Sequence, residues 1–117
     1  MNKIPQFFLQ HVLESIDWIE KDVVNLTFEQ FAENVPIQDA VIRRLEIISE
    51  AMKNLPDEVK NVHPEIPWVK IAGTRNKLIH EYFGVDLDLV WSVVKDYLPP
   101  LKGQIQILIE ELGRKKE

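Results

Sequence analysis

The run Pro5-Gln6-Phe7-Phe8-Leu9-Gln10-His11-Val12-Leu13-Glu14-Ser15-Ile16-Asp17-Trp18-Ile19-Glu20-Lys21-Asp22-Val23-Val24-Asn25 carries apolar residues at Phe8, Val12, Ile16, Ile19 and Val23. Steps of three and four put them on one stripe of an α-helix, with acids and Lys21 between them. Pro5 suits the first turn, where its missing N–H costs nothing. A strand would alternate at every second residue, and no such run occurs in the chain.

The same reading extends outward. Thr27 is the expected N-cap of a short second helix, with Gln30 completing a capping box and the helix ending near Asn34, before Pro36. A third helix is expected from about Ile37 to Asn54, with Ala40 or Val41, Leu45, Ile48 and Met52 on one stripe and Pro56 closing it. Leu55 to Pro67 reads as an irregular connection with one short turn at Asp57–Lys60. Pro67 opens a fourth helix, Trp68 to Phe83, stopped by Gly84. Asp86 caps a fifth through Val90, Trp91, Val94 and Tyr97. Pro99-Pro100 is expected to interrupt it before a last amphipathic run with Leu101, Ile105, Leu108, Ile109 and Leu112. The expected fold is all-α, an antiparallel bundle of four main helices plus a short one.

Length and composition limit what such a bundle can be. The 117 residues are 45% hydrophobic and 28% charged, the balance of one ordinary globular domain spanning 1–117. With no cysteine, disulfides, thiolate metal sites and cysteine nucleophiles are excluded. A net charge of −5 argues against a general duplex-DNA binder, which needs a basic footprint, but leaves room for a local single-strand site. No apolar stretch approaches the roughly 18 residues of a membrane span. The N-terminus starts like a weak signal sequence, but His11, Glu14 and Asp17 interrupt it, so a cytoplasmic location is expected.

The fourth helix holds an anomaly. At about 100° per residue, Trp68, Ile71, Ala72, Leu78, Ile79 and Tyr82 all fall within roughly 60° of Arg75. A permanently charged guanidinium therefore occupies the middle of an apolar stripe, where it needs a partner. Asn76 and His80 lie at the edge of that stripe. Two readings stand. In one, Arg75 pairs with a core carboxylate, Asp39 or Glu46 being candidates, and His80 is satisfied locally. In the other, the same helix of a second copy packs here, and two Arg and two His share a cleft. Such a cluster, with no cysteine or carboxylate array, suits an anion better than a metal.

Arg75-Asn76-Lys77-Leu78-Ile79-His80-Glu81-Tyr82 resembles the Arg-x4-His-x-Tyr motif of the HEPN superfamily, specifically the HepT-like toxins of HepT/MntA toxin–antitoxin systems. The context is similar too: Arg44-Leu45-Glu46, the run Ala51-Met52-Lys53-Asn54-Leu55-Pro56, Ile66-Pro67-Trp68 opening the motif helix, Gly73, then Val85-Asp86, Val90-Trp91 and Leu98-Pro99. The match runs from about Ala40 to Leu112. Arg-x4-His alone is a weak pattern; Arg-Asn-x3-His-x-Tyr within that frame is far more specific.

The resemblance implies a helical homodimer whose motif helices meet in a metal-independent endoribonuclease site, with no metal and no cofactor. It favours Arg75 and His80 as catalytic residues, with Asn76 in support. It also implies a partner, a minimal nucleotidyltransferase antitoxin (MntA-like), that neutralises the toxin by AMPylation of Tyr82. The chemistry is coherent: a histidine near neutral pKa moves a proton off the RNA 2′-hydroxyl or onto the leaving oxygen, and a guanidinium faces the phosphorane-like charge. The acidic net charge fits an alternative, a non-catalytic HEPN module that binds the nucleotidyltransferase.

Other residues carry blander expectations. His63-Pro64-Glu65, with Asp57 and Glu58 nearby, matches no metal spacing and reads as a solvated loop. His11 is expected on the surface, Asp86 and Asp88 as helix-start acids, and Trp18, Trp68 and Trp91 as core or interface aromatics. Arg114-Lys115-Lys116 is too short for a nucleic-acid tract.

Overall fold

Every element of the computed structural model is helical, and it describes residues 4–79 and 86–114, with side chains at 5–74 and 86–114. Helix α1 (Ile4–Val23) leads through a turn to the short α2 (Phe28–Ala32), then to α3 (Val35–Lys53). A second short helix, α4 (Asp57–Val62), precedes α5 (Trp68–Ile79). Helix α6 (Leu87–Ser92) passes through a π-turn (Val93–Tyr97) into α7 (Leu98–Arg114). There is no strand among the described residues, and the fold is all-α.

The expected stripes are the core. Val12, Ile16 and Ile19 of α1 are fully buried, as are Val41 and Met52 of α3 and Ile105 of α7. Burying each such side chain contributes about 1.5–3 kcal/mol, and the alternation of these positions with charged ones fixes which face turns inward. Val41, not the exposed Ala40, takes the third-helix stripe. Helix α1 packs on α3 and α7, and α3 packs on α5.

The helix ends follow their caps. Thr27 Oγ1 accepts from Gln30 N at 3.1 Å, while Gln30 Oε1 accepts from Thr27 N at 2.9 Å, the reciprocal capping box expected. Asp86 Oδ1 accepts from Leu89 N at 3.1 Å and starts α6.

Three boundaries differ from expectation. Pro36 does not lie outside the third helix: Asn34 caps α3 through Ile37 N, and Pro36 sits in its first turn, where no N–H is required. The connection after α3 forms the six-residue α4 rather than an isolated turn. Pro99-Pro100 does not interrupt the last helices. Leu98 N–H bonds to Val93 O, a five-residue step. This widened turn lies immediately before the two prolines, where a regular α-helix would ask them to donate and would press their rings on carbonyls four residues back.

Candidate functional site on helix α5

Helix α5 begins where its sequence anchors it. Ile66 is buried, Trp68 N–H donates to Ile66 O at 2.8 Å, and the Trp68 indole N–H donates to His63 O at 2.9 Å. Trp68 and Ile71 are buried and face α3. There the buried Ser49 hydroxyl lies 2.9 Å from Leu45 O and 3.1 Å from Ile71 O, so α3 and α5 approach closely.

That contact sets the register. Lys53 and Trp68 border one groove, Ser49 meets Ile71, and Leu45 lies across a cavity from Thr74, so the two helices run antiparallel. The backbone of position 75 therefore lies at the level of Leu45, one turn beyond Ile71. The backbone of Arg75 and Asn76 belongs to the last described turn of α5; their side chains, and all of His80 and Tyr82, lie outside the described residues. Of the two carboxylates considered as internal partners of Arg75, Asp39 is exposed and Glu46 half-buried.

The other face of α5 is open. Val69 is 87% exposed, and a Cβ added at Gly73 would meet nothing within 4 Å among the described residues. Both border an open groove of about 820 Å³ between the end of α3, α4 and α5, whose charged lining includes Lys53, Lys60 and Lys70 against Glu50 and Asp57. Lys70 Nζ donates to Tyr97 Oη at 2.6 Å and stands 4.2 Å from that ring's centroid, linking α5 to the π-turn. This places an ammonium and a half-exposed aromatic ring together, a pairing that sequence periodicity did not single out.

His63 corrects the expectation of a solvated loop. Its ring is 16% exposed, with Nδ1 2.7 Å from Glu65 Oε1 and Nε2 2.6 Å from Glu111 Oε2 on α7. Hydrogen bonds to Glu65 and then to Glu111 raise its pKa above 6.5, against a smaller opposing effect of burial. Glu111 lies 48 residues away in sequence, so no local signal could have announced the pair. Among the described residues no three His, Asp or Glu side chains are grouped to hold a metal ion. Trp68 is buried and Trp91 stacks on Phe31 at 5.1 Å, whereas Trp18 stays 49% exposed beside Lys21 and Arg44.

The family model described as "Ribonuclease HepT-like" matches residues 12–108, which take in most of α1 and of α7 and everything between them. The chain belongs to the HepT-like ribonuclease family. It is 45% identical over 108 residues to a Thermococcus cleftensis protein named "Probable ribonuclease HepT", covering 92% of this chain and 98% of that one. It is 38% identical over 109 residues to a Caldanaerobacter subterraneus subsp. tengcongensis protein named "Putative RNase", covering 93% and 97%. A Methanocaldococcus jannaschii protein named "Gamma-glutamylcyclotransferase and putative RNase" is 47% identical over 116 residues, 99% of this chain but 52% of that relative, so the chain spans about half its length. No solved structure is significantly similar. Among the described residues no helix is long and apolar enough to cross a membrane.

Proposed function

We propose that this chain, as one domain spanning 1–117, is the toxin of a toxin–antitoxin pair: a cytoplasmic, homodimeric, metal-independent endoribonuclease. What supports the reading is one conjunction: a HepT-like family match over 12–108 on a chain that carries Arg75-Asn76-x3-His80-x-Tyr82 from the last described turn of α5 onward. Sequence periodicity, which sets Arg75 in the middle of an apolar stripe, adds a physical reason, because a guanidinium there requires an anionic partner.

In the proposed reaction, the neutral His80 of one copy takes the proton of an RNA 2′-hydroxyl. The freed oxygen attacks the adjacent phosphorus, and the bond to the 5′-oxygen breaks. The protonated His80 of the other copy supplies the proton that the leaving 5′-oxygen needs, giving a 2′,3′-cyclic phosphate and a 5′-hydroxyl. Arg75 grips two phosphate oxygens and stabilises the charge that builds on them. Asn76, four residues before His80, orients the imidazole or the phosphate.

Control is assigned to Tyr82. Its oxygen attacks the α-phosphorus of ATP on the nucleotidyltransferase partner, its proton passes to a base, and pyrophosphate leaves. The AMP then adds bulk and negative charge beside Arg75 and excludes a substrate phosphate. A mass increment of one AMP on Tyr82 is expected after incubation with partner and ATP; an unmodified Tyr82 rejects this part.

Cleavage of an RNA oligonucleotide in EDTA tests the enzyme itself. The wild type is expected to cut. His80→Ala is expected to lose about 10²–10⁴-fold and Arg75→Ala about 10²–10³-fold. Cleavage by both variants at the wild-type rate would defeat the proposal. The net charge of −5 favours the second reading, a non-catalytic module that binds the nucleotidyltransferase; that module would leave RNA intact while still binding its partner.

A further inference from the structure

His63 ends α4, and everything around it concerns the start of α5. Its two ring nitrogens each face a carboxylate oxygen, Glu65 from the same connection and Glu111 from α7, at 2.7 and 2.6 Å. An ionised carboxylate only accepts, so both contacts are hydrogen bonds only when both ring nitrogens carry protons. The His63 carbonyl accepts in turn from the Ile66 N–H at 3.1 Å and the Trp68 indole N–H at 2.9 Å. One residue thus joins α7, the α4–α5 connection and the first residue of α5.

We infer that His63 is a protonation-dependent clasp that fixes the start of α5, and with it the helix that presents Arg75. The link to catalysis rests on the proposed ribonuclease function. Trp68 and Arg75 are two helical turns apart, about 10 Å of rigid rod, so a shift at Trp68 is carried to Arg75. Neutral imidazole keeps one N–H and turns a lone pair toward the other carboxylate, so deprotonation replaces one attraction by a repulsion.

The charged groups that face the ring are Glu65 on its own segment and Glu111 on α7; no other described charge contributes to its titration. Both favour the imidazolium, and burial opposes them more weakly. The clasp is therefore closed below the raised pKa of His63 and opens as pH rises through it.

Nuclear magnetic resonance titration of the full chain tests this, following the His63 ring and the Trp68 indole N–H, the latter assigned with Trp68→Phe. The expected wild-type result is a His63 midpoint above 6.5, with the Trp68 signal changing at the same midpoint. Glu111→Gln is expected to lower that midpoint toward 6.5 and to carry the Trp68 transition with it, and His63→Gln to abolish that transition. A Trp68 signal that ignores the His63 titration, or a midpoint unmoved in Glu111→Gln, overturns the clasp. Glu111→Gln suffices if His63→Gln does not fold.

RNA cleavage in EDTA across pH supplies the functional arm. Glu111→Gln should shift the alkaline limb of the profile together with the Trp68 transition and leave the plateau rate intact. An unmoved alkaline limb overturns the connection to the site. A wild-type chain that does not cleave overturns the proposed ribonuclease function, while the Trp68 titration still decides the clasp.

Discussion

A serine hydroxyl has one proton, and at Ser49 two carbonyls stand within reach, Leu45 O of its own helix and Ile71 O of α5. The proton is shared between them, which lets two helix backbones approach where a larger side chain would hold them apart. Ser49→Ala keeps the space but leaves Ile71 O without that donor; a loss of about 1 kcal/mol is expected in denaturant unfolding. No loss would mean that close packing alone joins α3 to α5. The same scale shows what the sequence could and could not reveal. Arg75 stands out in the sequence because a charge in the middle of an apolar stripe breaks a periodic pattern, while its side chain lies outside the described residues. His63 was not, because its meaning depends on Glu111, which only the folded chain brings beside it. Ser49 was missed for the same reason: one polar residue on a helix says nothing about which neighbour it faces.

Helix boundaries follow side chains that bond to their own backbone, so Thr27 and Asp86 could be assigned as caps from sequence. Thr27→Ala removes one half of the capping box and is expected to cost about 1 kcal/mol by thermal melting. The loss should fall on α2, whose buried Phe31 stacks on Trp91 of α6. A melting temperature unchanged in Thr27→Ala would show that Phe31 packing alone holds α2. The passage from α6 to α7 was not legible. Apolar periodicity near 3.6 does not distinguish a helix that stops at two prolines from one that inserts a five-residue step ahead of them. The Leu98-to-Val93 bond decides the matter. Pro36 misled for a related reason: proline ends a helix in its interior but starts one in its first turn.

For the molecule as a whole, the core of α1, α3 and α7 was readable because stripes of Ile, Leu and Val have few other ways to be buried. How charges tie the helices together was not. Lys102 of α7 reaches Asp17 and Glu20 of α1 at 3.0 and 2.8 Å, both exposed, and such pairs contribute little. The His63 cluster contributes a pH dependence of its own. A folded pKa raised above 6.5 means that the His63 contribution is complete below 6.5 and is lost as pH rises through the raised value. Glu65 has the opposite sign. Its hydrogen bond to His63 holds its pKa below 4.5, so its contribution is complete above 4.5 and is lost as pH falls through the lowered value. Thermal stability is expected to peak between these limits and to decline on both sides. In His63→Gln the alkaline decline that begins above 6.5 should flatten; calorimetry across pH checks it, and an identical profile in that variant would exclude His63 as the cause.

The central claim is that two copies of α5 bring Arg75 and His80 into one cleft. The separation of the two His80 rings in a crystal structure of the solution assembly measures it most directly. The account predicts a two-fold dimer with both imidazoles lining a single solvent-reachable groove and the Arg75 guanidinium turned into it. A monomer in which Arg75 is paired with Asp39 or Glu46 and His80 points away would contradict it.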